Sequence, residues 1–216
     1  MTARGPVSMA ANKEPFLAAR KNPLCVELVT RIRYRFATRD WDWQLARLKQ
    51  LNFRAAIIGP QGSGKTTLLY ELLDHLRGSG VPCHHVFIPP NHRDHPPLLD
   101  EAIEKSRADS ILLIDGMERL GIRQRQGLMN LTRQGQGLVV NLHRARRFPP
   151  RLPTWIRTTT SPNLMSQILK DLDLDSPEIQ VAGAAAFAKS KGNIREALRD
   201  LYDQFSSGRF NKILSG

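Results

Sequence analysis

Cysteine is scarce in this chain. Cys25 and Cys83 are the only two, too few for a disulfide framework, and free thiols point to a cytoplasmic protein. No apolar run approaches the roughly 20 residues that a membrane-spanning helix needs. The opening residues, Met1-Thr2-Ala3-Arg4-Gly5-Pro6, lack the apolar stretch of a secretory signal. Internal repeats and low-complexity tracts are absent as well. Acidic residues are the scarcer charge, 20 against 32 lysines and arginines, for a net charge of +12. That balance keeps nucleic acid, acidic protein surfaces and nucleotide among the partner classes, although no nucleic-acid-binding motif accompanies it. What is present is ordinary for a globular protein, with 24% charged and 41% hydrophobic residues. The length allows one medium domain, with or without a small lid.

One stretch organises the rest: Gly59-Pro60-Gln61-Gly62-Ser63-Gly64-Lys65-Thr66. It has the G-x-x-x-x-G-K-[ST] form of a phosphate-binding loop. The short apolar run Phe53–Ile58 precedes it and reads as a buried strand. After the loop, the run Thr67–Leu73 carries apolar residues at helical spacing, with the helix ending near Gly78 or Gly80. The glycines let backbone N–H groups curl around a di- or triphosphate, and the helix N-terminus adds its positive dipole end. Lys65 brings a mobile charge to the β- and γ-phosphates, and the Thr66 hydroxyl can ligate Mg²⁺. The expected nucleotide-binding residues are thus Gly59, Pro60, Gln61, Gly62, Ser63, Gly64, Lys65, Thr66 and Thr67.

A second stretch, Ser110-Ile111-Leu112-Leu113-Ile114-Asp115, reads as a buried strand with a carboxylate at its C-terminal tip. In an open α/β sheet that tip faces the ligand crevice. At this distance from the loop it has the Walker B pattern, which makes Asp115 the second expected Mg²⁺ ligand, directly or through water.

The remaining chain divides around these two. Residues 1–50 read as a tail to about residue 22, then a segment of one or two helices whose Trp41 and Trp43 are expected core anchors. Residues 51–161 carry the strands, including Val81–Ile88, Gly137–His143 and Trp155–Thr160, and helices over Leu98–Ala108 and Leu120–Arg133. Residues 162–216 lose the strand signal. They read as three short helices, two of them opened by Pro162 and Pro177, and form a small C-terminal lid. His84, His85, His92 and His95 match no standard metal-ligand spacing. The polar end of the Gly137–His143 strand, Asn141 or His143, lies where a γ-phosphate sensor would sit; Asn141 is taken as the candidate. Arg144, Arg146, Arg147 and Arg151 crowd the proline-rich loop 144–151, a candidate surface for nucleic acid.

This succession of loop, strand, Walker B and helical lid resembles the AAA+ superfamily of P-loop ATPases over about residues 50 to 206. Within it the chain looks most like small bacterial proteins of the origin-recognition and transposition type. The resemblance implies an α/β fold: a three-layer P-loop NTPase core with a mostly parallel sheet and a small C-terminal helical lid. It implies ATP and Mg²⁺ as ligands, an unknown protein partner, and assembly into rings with an arginine finger supplied in trans by Arg144, Arg146, Arg147, Arg151 or Arg157. Gly192-Asn193-Ile194-Arg195-Glu196-Ala197-Leu198 is similar to the family's "sensor 2" setting, which makes Arg195 the sensor candidate. The family usually has Asp-Glu at Walker B, where this chain has Asp115-Gly116-Met117-Glu118. That ending resembles the STAND class of switch NTPases. Either Glu118 takes the catalytic role from a shifted position, or hydrolysis is slow.

Overall fold

The computed structural model describes residues 22–29, 31–36, 39–89, 109–133, 137–144 and 152–210. Five strands run through it: β1 (Arg54–Ile58), β2 (Cys83–Phe87), β3 (Ile111–Asp115), β4 (Gly137–Leu142) and β5 (Thr154–Arg157). They form one sheet in the order β2-β3-β4-β1-β5, and every pairing is parallel. Strands buried on both faces read as continuous apolar runs, and this explains why β1, β3 and β4 have no polar alternation.

The sheet's two faces make two cores. Ala55, Ile57, Leu113 and Val139 pack with helix α3 (Lys65–Gly78), through Leu68, Leu69 and Leu72, and with Leu48 of helix α2 (Trp41–Gln50). Ala56, Ile114, Leu138 and Val140 pack on the other face with Met117, Leu120 and Leu128; the last belongs to helix α4 (Ile122–Arg133). The result is the expected three-layer α/β core. Trp155 of β5 is 1% exposed, and its indole N–H donates to the Gln44 carbonyl at 2.9 Å, tying the edge strand to α2. Trp155→Ala is expected to lower the unfolding free energy by about 3–5 kcal/mol, the usual cost of emptying a large aromatic site. Urea denaturation followed by circular dichroism measures it; a loss below about 1 kcal/mol would mean that the site collapses without this anchor.

The lid is a third core of its own. Helices α5 (Pro162–Asp171), α6 (Pro177–Lys189) and α7 (Ile194–Ser206) start where serine or asparagine side chains cap them: Ser161, Ser176 and Asn193 accept from the backbone N–H of Leu164, Ile179 and Glu196. Met165, Leu169, Ile179, Leu201 and Phe205 fill the space between them. No helix among the described residues is long and apolar enough to cross a membrane.

Several expectations change here. Asn22, at the end of the expected tail, is fully buried and donates to the Tyr202 carbonyl and the Ser206 hydroxyl. The short helix α1 (Val26–Val29) follows, and Leu24 and Val29 belong to the lid's core rather than to the main domain. Trp43 is 40% exposed and anchors no core; the guanidiniums of Arg39 and Arg47 stack on its ring instead. Trp41, by contrast, packs as expected against the core on the α3 side, half-buried and edge-on to Phe36. The sheet is wholly parallel among the described strands. The helix expected from Leu120 begins at Ile122, after a separate 3₁₀ turn (Met117–Arg119). The expected helix Leu98–Ala108, the histidines His92 and His95, and Arg146, Arg147 and Arg151 lie outside the described residues.

Candidate functional site

The C-terminal ends of β1, β3, β4 and β5 lie on one edge of the sheet, because all the strands run the same way. They deliver Gly59, Asp115, His143 and Thr158 to that edge. Such an edge, where the strand order turns back on itself around β1, is the binding position of open α/β sheets.

The two motifs meet there. The Thr66 hydroxyl, on the first turn of α3, donates to Asp115 Oδ2 at 2.8 Å. A hydroxyl and a carboxylate are both hard oxygen donors. They fit Mg²⁺, which takes one or two protein oxygens beside phosphate and water. No group of three or more His, Cys, Asp or Glu is placed to hold a metal among the described residues.

Lys65 is buried, and its ammonium donates to the carbonyls of Gly59 (2.8 Å) and Pro60 (2.7 Å). It also lies 3.3 Å from His143 Nδ1. Burial pushes its pKa below the ordinary lysine value; Glu118 and Asp115 oppose that shift, and Arg195 adds to it. On the far side of the imidazole, His143 Nε2 lies 2.9 Å from Glu118 Oε1. The Nε2–H tautomer satisfies both contacts, donating to the carboxylate while Nδ1 accepts from Lys65. One imidazole thus joins the loop's lysine to the acid beyond β3.

Glu118 arrives there because of Gly116. Gly116 has φ +93°, and a Cβ on it would stand 2.7 Å from the Ile88 carbonyl oxygen. Only glycine makes that turn without strain. The chain then enters the 3₁₀ turn that carries Glu118 back towards β4. The turn is held at its base. Arg125 of α4 donates to the Glu118 carbonyl at 2.7 Å, and Arg119 donates to the Ile88 carbonyl while lying over the Phe87 ring.

The lid closes on the loop at Gly62. There a Cβ would stand 2.0 Å from Asn193 Oδ1, the cap of α7, and the φ of +73° is again glycine's. Arg195, on the first turn of α7, is exposed and near enough for its charge to bear on Lys65. Tyr34 packs its ring against Gly64, and burial raises its phenol to about 12.

Of the two sensor candidates, the structure brings His143, not Asn141, against Lys65 and Glu118. Asn141 lies inside β4 opposite Ile57, buried, and its amide has no hydrogen-bond partner among the described residues. Sequence reasoning does not reach Thr158, whose hydroxyl shares a 2.6 Å hydrogen bond with Ser63 and braces the loop from β5. Nor does it reach Arg125, since a helix-surface arginine carries no signal of its distant partner.

Among solved structures, two single-residue variants of RuvB from Thermotoga maritima share this fold. One is 17% identical, with a TM-score of 0.53, covering 76% of this chain and 59% of that chain. The other is 16% identical, with a TM-score of 0.56, covering 82% of this chain and 65% of that one. This chain therefore spans less than two thirds of the length of either. The likeness is one of fold, the α/β P-loop NTPase architecture. No family model matches the chain, and no curated protein does.

Proposed function

We propose that the chain is an AAA+-type ATPase that binds ATP with Mg²⁺ at the loop and hydrolyses it slowly, driving a conformational change in a partner complex. The observation that carries this reading is the 2.8 Å contact between Thr66 and Asp115, which joins the Walker A and Walker B elements. Thr66 and Asp115 would hold the Mg²⁺, whose chemistry would be to neutralise charge on the phosphate oxygens. The Lys65 ammonium, now on the Gly59 and Pro60 carbonyls, would exchange those contacts for phosphate oxygens. Glu118 would accept the proton of a water whose oxygen attacks the γ-phosphorus. The bond from that phosphorus to the β,γ-bridging oxygen then breaks, leaving ADP and phosphate. His143 would hold the Glu118 carboxylate in register, and Arg195 would add charge from the lid.

Asp115→Ala is expected to weaken binding of MgATP by about tenfold or more while sparing metal-free ATP, because it removes one charged metal ligand. Calorimetry with and without Mg²⁺ measures both. Equal losses in the two conditions would remove Asp115 from the metal site.

A second reading is a nucleotide-dependent switch that does not hydrolyse, and Gly116 in place of the usual acid favours it. Phosphate release from MgATP by the purified chain, with and without DNA, separates the two. The partners belong to the same proposal: nucleic acid at loop 144–151, a protein partner, further copies of the chain in a ring, and a cytoplasmic setting.

A further inference from the structure

Two arginines unused by the site above flank the outer side of the loop. Arg144 follows β4 and Arg157 ends β5, the two strands on either side of β1. A cleft of about 450 Å³ opens between them, within the range of about 300–1,000 Å³ common for small-molecule sites. Both arginines line it, together with His143, Thr158, Thr159 and the loop at Gln61, and no carboxylate among the described residues does. Both arginines are exposed, and neither is paired with an acid among the described residues.

Two guanidiniums on one concave wall, with no acidic partner among the described residues, focus positive potential into it. β4 and β5 stand two strand spacings apart, about 10 Å, so their end residues bracket the mouth of the cleft. Guanidinium forks match the oxygens of a tetrahedral oxyanion. The Thr159 hydroxyl adds a neutral donor. His143 is shared: it lines the cleft, and its ring nitrogens meet Lys65 and Glu118.

We propose that this cleft is an oxyanion subsite that takes inorganic phosphate, and that phosphate released at the loop passes His143 to reach it. The anion affinity is independent of hydrolysis, whereas the product role rests on the ATPase reading above. A free phosphate, unlike a nucleic-acid phosphodiester, reaches a cleft walled by the loop itself without bringing a polymer with it.

Calorimetry with inorganic phosphate tests this on the full chain, with no nucleotide present. Lys65→Ala serves as the background, so that binding at the loop is suppressed. Phosphate affinity is expected to persist in Lys65→Ala and to fall about tenfold or more on adding Arg144→Ala or Arg157→Ala, the usual loss of a charge-assisted contact. Arg157→Lys should recover part of it, and unchanged circular dichroism shows that the variants fold. In the parent, phosphate should inhibit turnover, and Arg157→Ala should relieve the inhibition. No phosphate binding in any chain overturns the proposal. So does binding that vanishes with Lys65→Ala alone, or arginine variants that weaken oligonucleotide binding but leave phosphate binding intact. Phosphate bound through Arg157 in a chain that never hydrolyses ATP would sink the ATPase reading and leave the oxyanion site standing.

Discussion

Glu118→Gln is expected to leave ATP affinity nearly unchanged and to lower turnover by about 10²-fold or more, within the usual range for loss of a general base. The geometry makes this substitution a selective one. A glutamine keeps an oxygen that can accept from His143 Nε2, so the contact made at 2.9 Å in the parent survives, while the side chain can no longer take up a proton from water. Gly116 cannot compensate, having no side chain. Among the described residues the Glu118 carboxylate meets His143, Arg119 is engaged with the Ile88 carbonyl, and Arg125 holds the Glu118 backbone. Steady-state phosphate release alongside calorimetric ATP affinity separates chemistry from binding. Turnover at the parent rate would reduce Glu118 to an anchor for His143. The chain would then be a slow switch whose basal rate comes from positioning alone.

The second large effect belongs to Lys65→Ala, which is expected to weaken nucleotide binding by about tenfold to a hundredfold, the loss of a charge-assisted contact of about 1.5–3 kcal/mol. Lys65 is the only cation hydrogen-bonded to the loop among the described residues, through the Gly59 and Pro60 carbonyls. Its burial and lowered pKa show that the fold bears a desolvation cost to keep an ammonium there. Alanine removes the charge without adding bulk to α3. Unchanged ATP affinity by calorimetry would mean that the loop is not the nucleotide site.

Sequence by itself determined the elements that local chemistry specifies. The loop's glycines and lysine, the apolar runs of β1, β3 and β4, and the serine-proline starts of α5 and α6 all appear where local propensity places them. Each depends on neighbours within one turn or one strand, so each is legible along the chain. The α/β core, with Thr66 and Asp115 on its two motif elements, could be read for the same reason. Tertiary structure decided what depends on residues far apart in sequence. Asn22 looks like the end of a tail until the lid supplies partners at Tyr202 and Ser206. Trp43 has the composition of a core anchor, yet it lies on the outer face of α2, where two arginines cover it. Asn141 and His143 are equally polar at the end of one strand. Strand pairing keeps Asn141 inside the sheet, opposite Ile57, and β4 ends at Leu142, which leaves His143 just beyond it, between Lys65 and Glu118. The cleft between two arginines arises the same way. Arg144 and Arg157 are 13 residues apart in the chain, and only the insertion of β1 between β4 and β5 sets them on either side of the loop.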